Sequence, residues 1–350
     1  MRRLPIYFLL DVSESMVGEN HRKLQRGMES IVQELRRDPH ALETVYLSAI
    51  AFAGKVKTIA PLVELVSFYP PQLPLGSGTS LGQALFHLMA EIDRNTVKTT
   101  AEQKGDWKPI VFLLTDGKPT DNFASAVRKW KDGYRNKASL IAVALGRYAD
   151  LKVLKDLADE VLILEKTSDD AYKKFIAWVT ASVSSQSKSV GSGGGDRLAL
   201  ASIDKTVLQM VDDVKKFDAF DPDSVILVGR CQKKKLPYIM KYEKNPQEIS
   251  GEDFRIDLSY FDFSGCFPLD EDYFTWSDES SITSQTVNTA LLRGAPGCPH
   301  CGARIAFAMC SCGGILCINE PGKASCPWCE CDVNFSAEGG GDFDVSRARG

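Results

Sequence analysis

Histidine is scarce in this chain of 350 residues, and cysteine is absent from its first 230. The sequence has only four histidines, and its ten cysteines all lie from residue 231 onward. It contains neither the H-E-x-x-H pattern of zinc proteases nor the G-x-x-x-x-G-K-[ST] loop of nucleotide hydrolases. These absences exclude the commonest zinc-hydrolase and ATPase chemistries. We therefore expect a protein that is not an enzyme.

Long apolar runs are also missing. No run reaches the roughly 20 apolar residues that a membrane-spanning helix needs, and acidic residues follow the short apolar stretch at residues 5–10 too closely for a secretory leader. The formal net charge is −4. The basic cluster of Arg230 and residues 233–235 has the length of a solvated turn, which argues against nucleic acid as the partner. We expect a cytoplasmic protein without membrane contact.

Residues 1–183 alternate between strand and helix patterns. Short apolar runs predict strands at residues 5–10, 45–52, 110–114, 139–145 and 161–164. Amphipathic spacing predicts helices at residues 24–35, 81–92, 123–134, 151–158 and 171–183. This alternation predicts an α/β domain with a Rossmann-like, mostly parallel sheet and helices on both faces.

The composition changes after residue 183. Residues 184–199 are polar and glycine-rich, which predicts a flexible linker. Residues 200–335 predict a smaller, β-rich, zinc-binding domain, with a short helix at 207–217 and strands at 224–228, 237–242 and 254–263. Residues 336–350 are rich in glycine and charge and predict a disordered tail.

Several oxygen-bearing side chains of the first domain lie at the ends of predicted strands or just before predicted helices. These are the places where parallel sheets bind ligands. The side chains are those of Asp11, Ser13, Ser15, Thr79 and Asp116. A few carboxylates combined with hydroxyls suit a hard divalent cation that keeps some of its waters. The sequence therefore predicts a site for Mg²⁺ (or Mn²⁺) at one edge of the sheet.

Three segments carry a resemblance to a known family. DVSES at 11–15, GSGTSLGQAL at 76–85 and LLTDGKPTD at 113–121 resemble the von Willebrand factor A domain, over roughly residues 3–183. The resemblance implies a metal-ion-dependent adhesion site in which residues 11, 13 and 15 form the first ligand loop. It implies that Thr79 supplies the second loop and Asp116 the third, some of them through water. It also implies that a partner's carboxylate completes the metal coordination.

Eight cysteines fall between residues 298 and 331. Two C-x-x-C knuckles flank a predicted hairpin that turns near residues 313–314, which is typical of a zinc ribbon; four thiolates around zinc leave no open position and indicate a structural site. The first predicted site takes both knuckles: Cys298, Cys301, Cys326 and Cys329. The second takes the remaining thiols: Cys310, Cys312, Cys317 and Cys331. The spacing equally allows a crossed arrangement, or Cys231 as a ligand, so we expect one or two Zn²⁺ ions.

The order of the two halves carries a second resemblance. DVSES, TDGKPTD and the run CPHCGARIAFAMCSCGGILC followed by CPWC resemble bacterial tellurium-resistance proteins of the TerY-like group. The resemblance implies a cytoplasmic stress-response or defence role beside a Ser/Thr kinase and a PP2C-type phosphatase. We accordingly expect a protein-binding adaptor. The alternative is a nucleic-acid-associated or enzymatic component that acts through the C-terminal zinc module.

Overall fold

The computed structural model describes ten stretches of the chain. They are residues 2–116, 118–145, 151–164, 169–191, 200–201, 209–210, 223–250, 255–278, 285–335 and 342–348. The chain divides into two compact units, the first made of Met1–Pro74 and Thr79–Phe217 and the second of Leu75–Gly78 and Asp218–Gly350. No helix formed by the described residues is long and apolar enough to cross a membrane.

A seven-stranded sheet forms the centre of the first unit. Its strands are β1 (Leu4–Asp11), β2 (Val45–Phe52), β3 (Val56–Glu64), β4 (Ile110–Thr115), β5 (Ser139–Leu145), β6 (Glu160–Leu164) and β7 (Gln209–Met210). Their order is β3-β2-β1-β4-β5-β6-β7, with the five inner strands parallel and both edge strands antiparallel. Every residue of β1, β4 and β5 is buried, as expected for near-continuous apolar runs in a parallel sheet.

Helices cover both faces of this sheet. They are α1 (Glu19–Leu35), α2 (Pro39–Thr44), α3 (Leu81–Asn95), α4 (Ala124–Gly133), α5 (Leu151–Leu157) and α6 (Asp169–Gly191). On one face α1 and α2 pack against α6, whose Trp178 ring lies edge-on to Phe112 of β4 at 6.4 Å. On the other face, Leu113 of β4 belongs to the core under α3, α4 and α5. The predicted α/β architecture is therefore confirmed.

The structure differs from the sequence patterns at two edges of this unit. Helix α2 and edge strand β3 were not predicted, and α6 continues to Gly191 instead of ending at residue 183. The predicted linker at 184–199 thus begins inside a helix, because polar contacts dock that helix on α2. Ser187 Oγ lies 2.6 Å from Thr44 Oγ1, and Lys188 Nζ lies 3.4 Å from Asp38 Oδ2. Residues 192–199 of the predicted linker lie outside the described residues.

The second unit is rich in β-strands, as predicted. Its strands are β8 (Ser224–Arg230), β9 (Pro237–Ser250), β10 (Arg255–Pro268), β11 (Thr286–Asn288), β12 (Leu292–Arg293), β13 (Ile305–Met309), β14 (Ile315–Ile318), β15 (Gly322–Ser325), β16 (Asp332–Phe335) and β17 (Asp344–Ser346), and α7 spans Asp272–Trp276. The main sheet has the order β12-β10-β9-β8-β14-β13, beside the two-stranded pairs β11-β17 and β15-β16. The hairpin of β13 and β14 is the one that the cysteine-rich sequence predicted.

Two predictions for this part of the chain need correction. The tail expected to be disordered contains β17, which pairs with β11, buries Val345 and is preceded by Phe343, which packs against the same core. Residues 336–341 and 349–350 of that tail lie outside the described residues. In the helix expected at 207–217, Gln209 and Met210 instead form β7 beside β6. The other residues of that predicted helix lie outside the described part.

Candidate metal centres

The first candidate site lies where the order of the strands reverses. The chain leaves β1 for β2 on one side, and β4 pairs with β1 on the other side, so the carboxyl ends of β1 and β4 lie next to each other. Strand β1 ends at Asp11, and Asp116 directly follows the last residue of β4. In open α/β sheets such a switch point is where ligands bind.

Asp11 is fully buried at this point and is held by two donors. The backbone N–H of Ser13 donates to its Oδ1 at 3.0 Å, and Thr115 Oγ1 donates to its Oδ2 at 2.5 Å. Loss of water raises the pKa of Asp11 to about 6, although the hydrogen bonds from Thr115 and Ser13 act in the opposite direction. A buried carboxylate of this kind is stabilised in its charged form by a cation.

The two serines join this aspartate loop to the loop after β4. Ser13 Oγ lies 3.0 Å from Ser15 Oγ, and Ser15 Oγ donates to Asp116 Oδ1 at 2.7 Å. Ser13 is buried, whereas Ser15 and Asp116 are half-buried. The structure therefore brings four of the five predicted oxygen ligands together through direct contacts.

Thr79, the fifth residue, is fixed to the same loop by its backbone. Its N–H donates to Thr120 Oγ1 at 2.9 Å, and the N–H of Thr120 donates to its carbonyl oxygen at 2.9 Å. The hydroxyl of Thr79 is buried and has no hydrogen-bond partner among the described residues. Buried polar groups in proteins are normally paired. An unpaired buried hydroxyl, on a residue whose backbone is bonded to the loop that follows Asp116, is the kind of oxygen that a hard divalent cation takes as a ligand.

Two nearby residues have roles that sequence patterns misassign. Asp121 resembles a cap for the helix that follows it, yet its carboxylate accepts the backbone N–H groups of Gly82 and Gln83 in the first turn of α3, at 3.1 and 3.0 Å. Residues 78–82 also match the G-x-S-x-G spacing of hydrolase nucleophiles. Ser80 in that match is buried and donates to the carbonyl oxygen of Gly54 at 3.1 Å, which is a structural bond.

The second and third candidate sites are two groups of four thiols. Within each group the sulfur atoms all lie within 4.8 Å of one another. The first group is Cys231, Cys298, Cys301 and Cys317, and the second is Cys310, Cys312, Cys326 and Cys329. This grouping departs from the predicted one, because the two C-x-x-C knuckles belong to different groups, Cys317 joins the first group and Cys331 joins neither.

Strand pairing explains the departure. Strand β14 runs parallel to β8 with Leu316 opposite Arg230, so Cys317 lies beside Cys231 at the end of β8. Their sulfur atoms are 3.9 Å apart, and Cys301 Sγ is 3.7 Å from Cys317 Sγ. The β13–β14 turn places Cys310 and Cys312 beside the second knuckle. The sulfur atoms of Cys310 and Cys329 are 3.7 Å apart, and those of Cys312 and Cys326 are 3.8 Å apart.

The segment after Cys231 folds like a knuckle although it has only one cysteine. The fourth residue after the first cysteine has a left-handed φ in all three turns, 59° at Lys235, 71° at Gly302 and 60° at Glu330. In the same three turns the N–H of that fourth residue donates to the carbonyl oxygen of the first cysteine, at 2.8, 3.0 and 2.9 Å. Lys234 thus stands where a second cysteine would stand, and Cys317 supplies the missing thiol from β14. Sequence spacing gives little sign of this.

The two thiol groups differ in their exposure. In the first group Cys301 is half-buried and the other three are buried, whereas Cys312 and Cys329 of the second group are exposed. The N–H of Cys312 donates to Cys310 and lowers the pKa of that thiol to about 7, which favours the metal-binding thiolate. Burial raises the pKa of Cys266 to about 12, and this thiol packs against the apolar core outside both groups.

Comparison with known families matches both units. Residues 6–174 match the von Willebrand factor type A domain, and residues 221–350 match the TerY-C metal binding domain. The first match contains all five oxygen-bearing residues of the switch point, and the second contains every cysteine of both thiol groups.

Solved structures that are similar to this chain come from several organisms. A von Willebrand factor type A protein from Catenulispora acidiphila is 16% identical, with a TM-score of 0.41, 53% of this chain covered and 43% of that one. Proximal thread matrix protein 1 from the mussel byssus, with a zinc-occupied adhesion motif, is 20% identical, with a TM-score of 0.37 and coverages of 51% and 48%. The ArnB paralog VWA2 from Sulfolobus acidocaldarius is 10% identical, with a TM-score of 0.39 and coverages of 80% and 70%. The chain thus spans less than half the length of the first two.

Proposed function

Because the chain joins a von Willebrand factor type A domain to a TerY-C metal binding domain, the order expected of a TerY-like protein, we propose that it is a non-enzymatic adaptor. In this proposal Mg²⁺ (or Mn²⁺) at the switch point of the first unit binds an acidic side chain of a protein partner. The second unit is a structural zinc module that holds two Zn²⁺ ions.

The observation that carries the proposal is the hydrogen bonding of the predicted oxygen ligands in the first unit. Ser13, Ser15 and Asp116 are linked at 3.0 and 2.7 Å, while the buried hydroxyl of Thr79 has no partner in the described part of the chain. A divalent ion bound by few carboxylates stays electrophilic, so it favours one more anionic ligand. The residues of this chain would hold the ion and leave that last position to the partner.

The thiol groups support a structural role for zinc. Four thiolates complete a tetrahedral zinc site and leave no position for a substrate. Because each group gathers residues from separate strands and turns, the ion would contribute directly to the folding free energy of the second unit. We expect two such ions per chain, one in each group.

The cellular setting of the proposal comes from the TerY-like resemblance alone. We propose a cytoplasmic role in a bacterial tellurite, stress-response or defence system, with a Ser/Thr kinase and a PP2C-type phosphatase as the protein partners. The name of the matched C-terminal domain agrees with this group.

A pull-down with the full chain as bait tests the adhesion role. We expect EDTA to release the partner, re-added Mg²⁺ to restore it, and neither high salt nor a zinc-selective chelator to do the same. Thr79→Ala and Asp116→Ala should abolish capture, whereas Asp132→Ala, which removes an exposed carboxylate on α4, should not. Retention of the partner by folded Thr79→Ala, or its release by salt alone, would refute the adhesion site. Turnover of a phosphoester that Asp116→Ala removes would favour an enzyme instead.

A further inference from the structure

Arg230 connects the two thiol groups. It is the last residue of β8, directly before Cys231 of the first group, and it is half-buried. Its Nε donates to the carbonyl oxygen of Lys235 at 2.6 Å, and its NH1 donates to that of Pro327 at 2.9 Å. Lys235 closes the turn that begins at Cys231, whereas Pro327 lies inside the second knuckle at 326–329. One guanidinium is therefore hydrogen-bonded to a knuckle of each group.

A tryptophan reinforces the same connection. The centroid of the Trp328 ring lies 5.8 Å from Cζ of Arg230, and Trp328 Nε1 donates to the carbonyl oxygen of Ile315 at 2.7 Å. Ile315 begins β14, the strand that carries Cys317 of the first group. Trp328 itself lies between Cys326 and Cys329 of the second group. A movement of either knuckle would therefore disturb contacts made by the other group.

The charge of Arg230 suits this position. A zinc ion bound by four thiolates carries a net charge of about −2, so two such groups close together repel each other. A guanidinium is always protonated, and its planar fork can donate in two directions at once, which a lysine ammonium does less rigidly. Groups that support metal ligands in this way commonly change metal affinity on the order of 10–100-fold when they are removed.

We propose that Arg230 is a positioning residue that couples the two zinc sites, so that they fill and empty together. This inference rests on the proposed function only for the presence of two zinc ions. It assigns to Arg230 a role in metal loading, and it makes the zinc module one cooperative unit.

Zinc removal from the loaded full-length chain tests the coupling. The protein is titrated with a zinc-selective chelator, and the zinc retained after buffer exchange is counted by elemental analysis. We expect the wild type to pass from two ions to none without a plateau at one. Arg230→Met should show a plateau at one ion, with the weaker site emptying at about 10–100-fold lower chelator. Arg230→Lys keeps the charge but loses the two-way bridge, so it should show the same plateau.

Arg293→Met is the matched control. Arg293 lies on β12 with its Cζ 3.6 Å from the centroid of the Tyr260 ring, so this variant removes an arginine–aromatic contact and a positive charge away from both thiol groups. It should release zinc as the wild type does. Stepwise release by the wild type, or concerted release by Arg230→Lys or Arg230→Met at the wild-type chelator concentration, would overturn the coupling alone. A wild-type chain that holds only one zinc would overturn the two-zinc function, and the coupling with it.

Discussion

The sulfur atoms of Cys231 and Cys317 lie 3.9 Å apart although 86 residues separate the two along the chain. The parallel pairing of β8 with β14 creates this contact, since it sets Leu316 opposite Arg230 and so brings the following residue of each strand together. The cysteines of the first thiol group are therefore brought together by strand pairing as well as by a knuckle. Folding of the sheet and completion of this metal site become linked events.

Substitution of Cys231 tests this arrangement directly. We expect Cys231→Ser to lower the zinc content of the purified chain from two ions to one or none, because the first group loses a thiolate and zinc sites of this type need all four. Elemental analysis against protein concentration gives the number. Because the loss of a structural ion removes folding free energy, the melting temperature should also fall.

Cys331→Ser is the control for this measurement. Cys331 is exposed and lies outside both thiol groups, although its position near the second knuckle predicts a ligand from sequence spacing. We expect this variant to keep two zinc ions. If Cys331→Ser loses an ion and Cys231→Ser does not, the grouping described above is incorrect.

The sequence identifies the first unit well because the inner strands of its sheet are buried on both faces. A short apolar run such as β4, bounded by turn residues and alternating with helical patterns, favours an inner parallel strand. The predicted ligand loops lie where such strands or loops lead into helices. Edge strand β3 escapes detection because it is mostly half-exposed and contains Pro61. Helix α2 has six residues and depends on the Asp38 cap, so its helical pattern is too short to recognise.

The pairing of the cysteines is harder to predict because it depends on contacts between distant strands. Spacing identifies the two C-x-x-C knuckles but cannot tell whether they share an ion. Cys231 follows a predicted strand as a single cysteine, and a buried core thiol is the ordinary interpretation of such a residue. Only the order β9-β8-β14-β13 places it beside Cys317.

Removal of the Thr79 hydroxyl should have opposite effects with and without metal. In the metal-free chain, Thr79→Val replaces a buried hydroxyl that lacks a partner in the described residues, so stability should stay the same or rise by about 1 kcal/mol. At a Mg²⁺ concentration 100 times the dissociation constant of the wild type for Mg²⁺, the free energy of unfolding of the wild type should increase by about 2.7 kcal/mol. That of the variant should increase much less. Thermal unfolding of the zinc-loaded chain with and without Mg²⁺ measures both effects.

Thr96→Val serves as the control for that experiment. Thr96 lies just after α3, and its hydroxyl donates to the carbonyl oxygen of Ile92 at 2.5 Å, away from the predicted oxygen ligands. Its response to Mg²⁺ should equal that of the wild type. An unchanged Mg²⁺ response in Thr79→Val would exclude this hydroxyl as a ligand.

Gly314 allows the close approach of Trp328 to β14. A Cβ atom at residue 314 would lie 2.4 Å from Cδ1 and 2.6 Å from Cγ of the Trp328 ring. Gly314→Ala should therefore displace the ring and weaken its hydrogen bond to the carbonyl oxygen of Ile315, at a cost of about 1–3 kcal/mol. Because Trp328 lies between two cysteines of the second group, zinc at that group should be lost at lower chelator. Gly133→Ala is the control, since its added Cβ would have no neighbour within 4 Å among the described residues, apart from the backbone of its own helix and the adjacent residues.

The stability of the first unit should depend on pH through the protonation of His21. Its Nε2 donates to the carbonyl oxygens of Leu73 and Pro74 at 3.1 and 3.2 Å. Burial lowers the pKa of His21 below its usual value of about 6.5, and the two carbonyl oxygens only partly oppose that effect. The unfolded chain therefore binds more protons than the folded chain as the pH falls below about 6.5. Neutral His21 contributes full stability above that pH, and the contribution is lost as the pH drops through the lower pKa of the folded state.

His21→Gln separates this effect from the other acid-sensitive groups. Its amide can still donate to the same carbonyl oxygens but does not titrate. The melting temperature of the wild type relative to this variant should decrease between pH 7 and pH 5, because only the wild type has the imidazole at residue 21 whose protonation is destabilising. His40→Gln changes an exposed histidine on α2 and should follow the wild type at each pH. If the wild type and His21→Gln melt with the same pH dependence, protonation of His21 does not control the stability of this unit.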